Sequence, residues 1–329
     1  MKIRNVFVTG GGGYVGSVLV PQLLDMGYKV SVFDTFWFGD YLPRHAGLTV
    51  IKGDIRHLQE TTMHGMDAVI HLANISNDPS FDLDPTLSTS INYDAFEPLV
   101  VAAKSAGVQR FINCSSSSVY GLSENPEVKE DHPLVPMTLY NKFKGLCEPL
   151  LWKHVADDFT CVNIRPATVC GYSPGQRLDL AVNILTNHAM NSDSIKVMGG
   201  SQKRPNLHIQ DMCDVYKLLL EAPHEKIHGE TFNVGGENRT ILELANLVAN
   251  CVLVRTGKKV PIEITPTDDT RSYWINSDKI KNWLGFVPKY SLTEAIHDLI
   301  DAFKARLLPD PLTNTRYSNV KRLIELGVK

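Results

Sequence analysis

Short apolar runs alternate with longer amphipathic stretches through the first half of the chain. The runs are rich in Val, Ile and Phe and too short for core helices, so they predict strands at 3–9, 29–34, 49–52, 68–72, 110–114 and 160–164. Amphipathic spacing between them predicts helices at about 14–26, 85–106 and 138–155. This alternation indicates βαβ units and a parallel sheet that is covered on both faces.

The pattern becomes less regular after Arg165-Pro166. It predicts helices near 178–191, 211–221 and 240–255, with short strands at 195–198, 230–234 and 262–265 and two further helices before residue 308. We expect an α/β fold: a Rossmann-type doubly wound parallel sheet with a smaller, discontinuous α/β substrate lobe. The expected division is 1–170 and 206–236 for the first domain, 171–205 and 237–308 for the lobe, and 309–329 for a C-terminal extension. A cleft between the two is the expected site.

Composition narrows the class of protein. The net charge is −3 and no block of Lys and Arg occurs, which argues against nucleic-acid binding. Apolar runs stay far below the roughly 18 residues of a membrane span, and the chain starts directly in a strand pattern, without a secretion signal. The six scattered cysteines form no CxxC pair, and His224 and His228 lack a third ligand. We expect a cytoplasmic protein with reduced thiols and no metal.

A glycine-rich loop follows the first predicted strand and opens a helix. Its glycines at 10, 13 and 16 suit a tight turn, a close backbone approach to a diphosphate, and close packing of the helix on the strand. The helix N-terminus then attracts the anion. The sequence therefore predicts a dinucleotide site in which the loop residues Gly10, Gly12, Gly13, Tyr14, Val15 and Gly16 take part.

Asp34 ends the second predicted strand. A carboxylate there accepts both hydroxyl hydrogens of an adenosine ribose and repels a 2′-phosphate. No Arg or Lys follows within 35–40, so the sequence favours NAD over NADP.

The later strand ends extend this prediction. Asp54 and Ile55 end the third strand, where they would flank the adenine. The ends of the fourth strand and the following helix contribute the remaining candidates for the diphosphate and ribose, which are Leu72, Ala73, Asn74 and Asn92.

Tyr140 and Lys144 lie one turn apart on a predicted helix. A phenol ordinarily loses its proton near pH 10, and a neighbouring ammonium favours the phenolate, which would make Tyr140 a general base. A serine cluster at 115–118 follows the fifth strand, at the sheet edge where open α/β sheets bind ligands. A serine there can hydrogen-bond the reacting oxygen.

Together these features resemble the extended short-chain dehydrogenase/reductase family, in its nucleotide-sugar epimerase/dehydratase branch. The resemblance covers nearly the whole chain and rests on the glycine loop, Asp34, 53–55, 71–73, 115–121, Tyr140-x-x-x-Lys144, Arg165-Pro166, 204–211, 232–236, 269–273 and 284–288. It implies that Ser116, Tyr140 and Lys144 are catalytic, that Lys144 also binds the nicotinamide ribose, and that Pro166 lies at the cofactor. It further implies a nucleoside-diphosphate sugar as substrate, with the contacts Ser117, Thr168, Asn183, Arg204 and Arg271.

Departures from the family pattern narrow the reaction. Dehydratases of the branch carry an Asp-Glu pair where this chain has Ser117-Ser118, decarboxylases usually keep Glu at the second position, and 3,5-epimerase/reductases carry Cys there. The serine run is most similar to 4-epimerases of the UDP-glucuronate type, although 176–179 departs from that pattern. We therefore expect NAD-dependent epimerisation at C4 through a 4-keto intermediate. The alternatives are a C4 dehydrogenase or ketoreductase and, in another class, a non-catalytic NAD(H)-sensing module.

Apolar stripes on two predicted helices bear on assembly. Members of the family commonly pair through these helices, so we expect a homodimer through 85–106 and 138–155. The stripes are formed by Leu87, Ile91, Ala95, Leu99 and Ala102 and by Leu139, Phe143, Leu146 and Leu150.

Overall fold

A seven-stranded parallel sheet forms the centre of the molecule. The computed structural model describes residues 2–123, 125, 127–267 and 272–328. The strands of this sheet are β1 (Asn5–Thr9), β2 (Lys29–Asp34), β3 (Leu48–Lys52), β4 (Ala68–His71), β5 (Arg110–Cys114), β6 (Thr160–Pro166) and, later in the chain, β10 (Glu230–Val234). Their order is β10-β6-β5-β4-β1-β2-β3, and every neighbouring pair is parallel. The predicted Rossmann-type fold is confirmed.

Within the described residues, five short strands lie outside this sheet. They are β7 (Thr168–Cys170), β8 (Ile195–Met198), β9 (Lys203–His208), β11 (Glu237–Thr240) and β12 (Ile262–Thr265). β11, β9 and β7 form one small sheet, and β12 pairs with β8 in another. The predicted boundaries at residues 170 and 206 fall at or inside strands of the first small sheet, so that sheet joins the two predicted domains.

Helices cover both faces of the central sheet. The α-helices of the described residues are α1 (Gly16–Asp25), α2 (Asp78–Phe81), α3 (Pro85–Thr89), α4 (Phe96–Ser105), α5 (Leu139–Trp152), α6 (Ala181–Asn191), α7 (Ile209–Glu221), α8 (His224–Ile227), α9 (Ile241–Thr256), α10 (Asp278–Leu284), α11 (Leu292–Lys304) and α12 (Asn319–Leu326). Of these, α6, α9 and α11 pack together with β8 in a separate core. Side chains alternate along β1, so Val6 and Val8 pack in the core that α1 and α7 share, and Phe7 packs in the core below α4 and α5. Burial on both faces explains the continuous apolar runs in the sequence.

The predicted helix at 85–106 is divided into three parts. Asp84 caps α3, a π-helical turn follows over Ser90–Asp94, and α4 begins at Phe96. Pro98 therefore lies in the first turn of α4, where a missing N–H removes no intrahelical hydrogen bond. Leu87, Ile91, Ala95 and Leu99 are buried in the core, so most of the stripe predicted on this first helix packs inside the chain. This corrects the part of the predicted pairing surface that lies on 85–106.

Among the described residues, no helix is long and apolar enough to cross a membrane. Within the same residues, no group of three or more His, Cys, Asp or Glu side chains is placed to hold a metal ion.

Candidate active site

The glycine loop sits at the carboxyl end of β1, between the ends of β2 and β4. Gly10 has φ +72°, and a Cβ there would lie 2.5 Å from the backbone nitrogen of Ala73. A Cβ on Gly16 would lie 2.4 Å from the Gly11 carbonyl oxygen. Both positions therefore exclude any side chain, which brings the loop against β4 and the start of α1 against the loop.

The loop presents unpaired donors to a cleft of about 400 Å³. Within the described part of the chain, the backbone N–H groups of Tyr14 and Val15 have no acceptor, and both residues line the cleft beside the first turn of α1. Orphan N–H groups and the positive end of a helix form a site for an anion. The loop thus fits the diphosphate of a dinucleotide.

Asp34 stands at the end of β2 and lines the same cleft. Its carboxylate accepts the N–H of Gly12 at 2.9 Å and the N–H of Phe36 at 2.7 Å. Burial raises the pKa of Asp34, whereas these two N–H groups lower it. Each carboxylate oxygen keeps a further lone pair, so the group fits the two ribose hydroxyls predicted for it.

The remaining predicted cofactor residues divide into two groups. The cleft is lined by Asp54, Ile55, Leu72, Ala73, Asn74 and Pro166. The Asp54 carboxylate is already held by Arg56, whose guanidinium donates to it at 2.7 and 3.1 Å. Asn92 differs from the prediction, because both ends of its amide bind the backbone of Ile75 at 2.9 Å and it does not line the cleft. It holds the loop after β4 instead.

The serine cluster and α5 meet beside the end of β5. Ser116 and Tyr140 both line the cleft. The hydroxyls of Ser116 and Ser118 are 2.7 Å apart, and Ser118 donates in turn to the Asn141 side chain. Lys144 is buried, and its Nζ donates to the Cys114 carbonyl at 2.6 Å. The structure therefore brings the three predicted catalytic residues to one place.

The pKa of Tyr140 moves opposite to the prediction. Burial raises the pKa of this phenol, and Cys114 and Asp78 raise it further, while Arg177 lowers it. Burial also lowers the pKa of Lys144. Desolvation is the largest cause of both shifts, and the Lys144 ammonium donates to a backbone carbonyl. Surrounding protein alone thus keeps Tyr140 protonated near neutral pH.

A buried polar network supports the serine cluster from behind. Ser115 donates to Glu148 of α5 at 2.6 Å, and Glu148 accepts two hydrogen bonds from Arg165 of β6, at 3.0 and 2.6 Å. Arg165 also donates to the Tyr120 hydroxyl at 2.7 Å. The network joins α5 to β6 and fixes the helix that carries Tyr140 and Lys144.

The predicted sugar contacts also divide. Ser117, Thr168 and Arg204 line the cleft. Asn183 does not, because its amide is used by Gly171, Tyr14 and Arg177, and it stabilises the loop over the glycine loop instead. Arg271 lies outside the described residues.

Several cleft residues carried no assignment from the sequence. Phe36 and Asn77 line the cleft with left-handed backbone conformations, φ 55° and 79°. Arg177, in the segment that departs from the family pattern, donates to Asp179 at 2.9 Å and to Ser76 at 2.7 Å. Arg316, Asn319 and Leu323 of the C-terminal extension also line the cleft. The departure from the family pattern at 176–179 could have identified Arg177 as a cleft residue. No sequence pattern indicated Arg316, Asn319 or Leu323.

A model of the NAD-dependent epimerase/dehydratase family matches residues 6–235. This match spans more than half of the chain. The chain belongs to the NAD-dependent epimerase/dehydratase family. Because the family is NAD-dependent and the glycine loop and Asp34 fit that cofactor, the family and cofactor predictions are confirmed.

Relatives in the family carry different activities. A UDP-glucose 4-epimerase from Lacticaseibacillus casei is 26% identical over 311 residues, which cover 87% of this chain and 92% of the relative. UDP-glucuronic acid decarboxylase 1 from Danio rerio is 26% identical over 322 residues, 92% of this chain and 73% of that protein. The solved structure of MoeE5 with UDP-glucuronic acid and NAD is 26% identical, with a TM-score of 0.81 and coverage of 92% and 99%. The choice among family reactions therefore rests on the cleft residues.

Proposed function

We propose that this protein is a nucleotide-sugar 4-epimerase that works through a transient 4-keto sugar. The observation that carries the proposal is the arrangement of Tyr140, Ser116 and Lys144 around one point of the cleft, with Ser118 bound to Asn141 where family dehydratases and decarboxylases keep an acid. Elimination of water needs an acid/base group at 117 or 118, and a serine hydroxyl cannot act as one near neutral pH.

In the proposed reaction, Tyr140 accepts the proton of the C4 hydroxyl, and Ser116 hydrogen-bonds the same oxygen. When bound, NAD would supply the hydride acceptor at C4 and would give the same hydride back to the opposite face of the keto sugar. In its oxidised form it would also add a positive charge beside the phenol. That charge offsets the rise that burial causes in the pKa of Tyr140. Lys144 adds a second positive charge and positions the ribose. After the keto sugar has rotated in the cleft so that its other face receives the hydride, Tyr140 returns its proton to the oxygen at C4.

For the substrate, we propose that Arg204 binds the diphosphate and that Ser117 and Thr168 contact the sugar. Arg204 is a guanidinium at the cleft wall, and guanidinium groups bind phosphate in a bidentate manner. The relatives named above act on UDP-glucose and UDP-glucuronic acid or bind UDP-glucuronic acid, so these compounds are the first candidates.

The test incubates the purified protein, without added NAD, with UDP-glucose, UDP-glucuronic acid and UDP-N-acetylglucosamine and follows the sugar protons by NMR. We expect inversion at C4 of at least one compound, and a rate lower by ~10²–10⁴-fold in Tyr140→Phe. Accumulation of an oxidised sugar with stoichiometric NADH would instead identify a dehydrogenase. A protein that binds NAD and converts nothing would be a binding module.

We also propose that two copies pair through the outer faces of α4 and α5. The two helices lie side by side, and Val101, Leu139 and Leu146 are about 40% exposed on them. Leu139 and Leu146 belong to the stripe that the sequence predicted on the second helix, whereas Val101 takes the place of the buried stripe on the first helix.

A further inference from the structure

The segment 315–328 lies against the cleft although it is remote in sequence from the glycine loop. It consists of a short turn at Thr315–Tyr317 followed by α12. Arg316, Asn319 and Leu323 line the cleft together with Gly12 and Asp34. Their spacing of three and four residues places them on one face of the segment.

Specific contacts hold this segment across the sheet edge. Arg322 donates to the Trp37 carbonyl at 2.7 Å, in the loop after β2. Asn319 donates to the Ser76 carbonyl and hydroxyl at 3.0 Å, in the loop after β4. Because β1 lies between β2 and β4, α12 bridges the loops on either side of the glycine loop. Leu323 completes this attachment by packing in the core cluster of Phe33 and Ile55.

Arg316 occupies the gap between two loops that border the glycine loop. Its guanidinium lies 5.9 Å from the ring of Tyr41 and 4.6 Å from the ring of Tyr317. Its charge also lowers the pKa of Tyr172, which burial raises. Tyr172 lies in the loop in which Gly171 and Ser173 form hydrogen bonds with Tyr14. Among the described residues, no carboxylate lies within ion-pairing distance of Arg316. The guanidinium donates to the Tyr317 hydroxyl and has no anionic partner among these residues, and it lines the same cleft as the N–H groups of Tyr14 and Val15.

We infer that 315–328 is the outer wall of the dinucleotide site, in which Arg316 faces the cofactor diphosphate and α12 covers the cofactor between the ends of β2 and β4. The inference rests on the proposed function only in taking this cleft as the NAD site. A dinucleotide below this wall is held from both sides, so it leaves only when the wall moves. Slow release suits a reaction that returns its hydride within each turnover.

The test compares Arg316→Gln with Lys321→Gln. Both changes remove one positive charge, but Lys321 is on the exposed face of α12. Each protein is loaded with NAD, and the release rate is measured against an excess of unlabelled NAD. Affinities for ADP and adenosine are measured by calorimetry. We expect Arg316→Gln to release NAD at least tenfold faster and to bind ADP at least tenfold more weakly, with unchanged affinity for adenosine. Lys321→Gln should behave as the wild type.

Two further variants keep the result independent of folding. Arg316→Lys should restore part of the ADP affinity, and Asn319→Ala should accelerate NAD release while leaving the preference for ADP over adenosine unchanged. Thermal unfolding of each protein reports whether the fold persists. Equal NAD release from Arg316→Gln and Lys321→Gln would overturn the inference, as would an equal loss of ADP and adenosine affinity. If the wild type converts no nucleotide sugar but the variants show the expected differences in NAD release and ADP affinity, the proposed function fails and the inference stands.

Discussion

The two walls of the cleft hold their functional groups by different means. The inner wall, formed by the carboxyl ends of the sheet strands and the start of α5, uses backbone N–H groups and side chains fixed by buried hydrogen bonds. Asp34, Ser116 and Lys144 are all held in this way. The outer wall, formed by 176–179 and 315–328, uses long side chains that bridge separate loops, as Arg177 and Arg322 do. Changes to the inner wall should therefore affect chemistry, stability or cofactor affinity, whereas changes to the outer wall should affect only binding.

The largest effect is expected at Tyr140. Tyr140→Phe removes the proposed base and keeps the ring, and general acid–base groups typically contribute ~10²–10⁴-fold to rate. Turnover should fall by about that factor while NAD remains bound, as measured by NMR on the converted sugar and by mass spectrometry of the released cofactor. Tyr28→Phe, outside the cleft, is the matched control. Undiminished turnover in Tyr140→Phe would show that another group is the base.

The next largest effect concerns the network behind the serines. Glu148→Gln leaves the buried guanidinium of Arg165 without its charge partner, and breaking a buried pair typically costs about 3–5 kcal/mol. Urea unfolding should show a loss of that order. Glu97→Gln breaks a partly exposed pair with His154 on the same side of the sheet and should cost about 1 kcal/mol or less. Similar losses of unfolding free energy in both variants would mean that the buried Glu148–Arg165 pair stabilises the fold no more than the partly exposed pair does.

Asp34 tests the cofactor side of the inner wall. A hydrogen bond to a charged group contributes about 1.5–3 kcal/mol, so Asp34→Ala should bind NAD roughly ten- to a hundredfold more weakly. Removal of the negative charge should also reduce the difference between the affinities for NAD and NADP. Fluorescence titration with both reduced cofactors measures this. An unchanged NAD:NADP ratio would be evidence against a ribose contact of Asp34.

His71 predicts a pH dependence of stability. Burial lowers the pKa of His71 to about 3, and its ring is bonded to the Thr9 hydroxyl at 2.8 Å. The unfolded chain binds a proton at this histidine below about pH 6.5 and the folded chain does not, so stability is lost as pH falls through that range. From pH 7 to pH 5 the loss from this group should be about 2 kcal/mol. His71→Gln should show a correspondingly flatter curve in urea unfolding, and an equally steep one would exclude His71 as the source.

The smallest catalytic effect is expected on the proposed pairing surface, because Val101, Leu139 and Leu146 do not line the cleft. Leu139→Glu or Leu146→Glu places a charge in an apolar contact and should give a monomer by light scattering. Turnover should stay within about twofold of the wild type. Val254→Glu, on the exposed face of α9, should leave the assembly unchanged. A wild-type protein that is already monomeric at micromolar concentration would refute the pairing.

The inner wall could be predicted from sequence because its geometry follows from local spacing. Gly10 and Gly16 are required by contacts within the loop and with the next strand end, and Tyr140 and Lys144 by one helical turn. Asn92 and Asn183 do not line the cleft, and their amides bind backbone groups instead. An amide at such a position can bind either ligand or backbone, and spacing does not distinguish the two. Arg316 and Leu323 were not predicted because the contacts that bring them to the cleft join residues nearly 300 positions apart, such as Arg322 and Trp37.

The Glu148–Arg165 pair has a consequence for motion. It fastens α5 to β6, so the helix that carries Tyr140 should open only when the sheet itself opens. Backbone amides in the middle of α5 should then exchange with deuterated water as slowly as those of β6, although the helix borders the cleft. In such a molecule α5 and the central sheet stay in place, and the sugar rotates between them and the rest of the cleft. The configuration at C4 would then be reversed by rotation of the bound substrate, while the catalytic groups keep one position throughout.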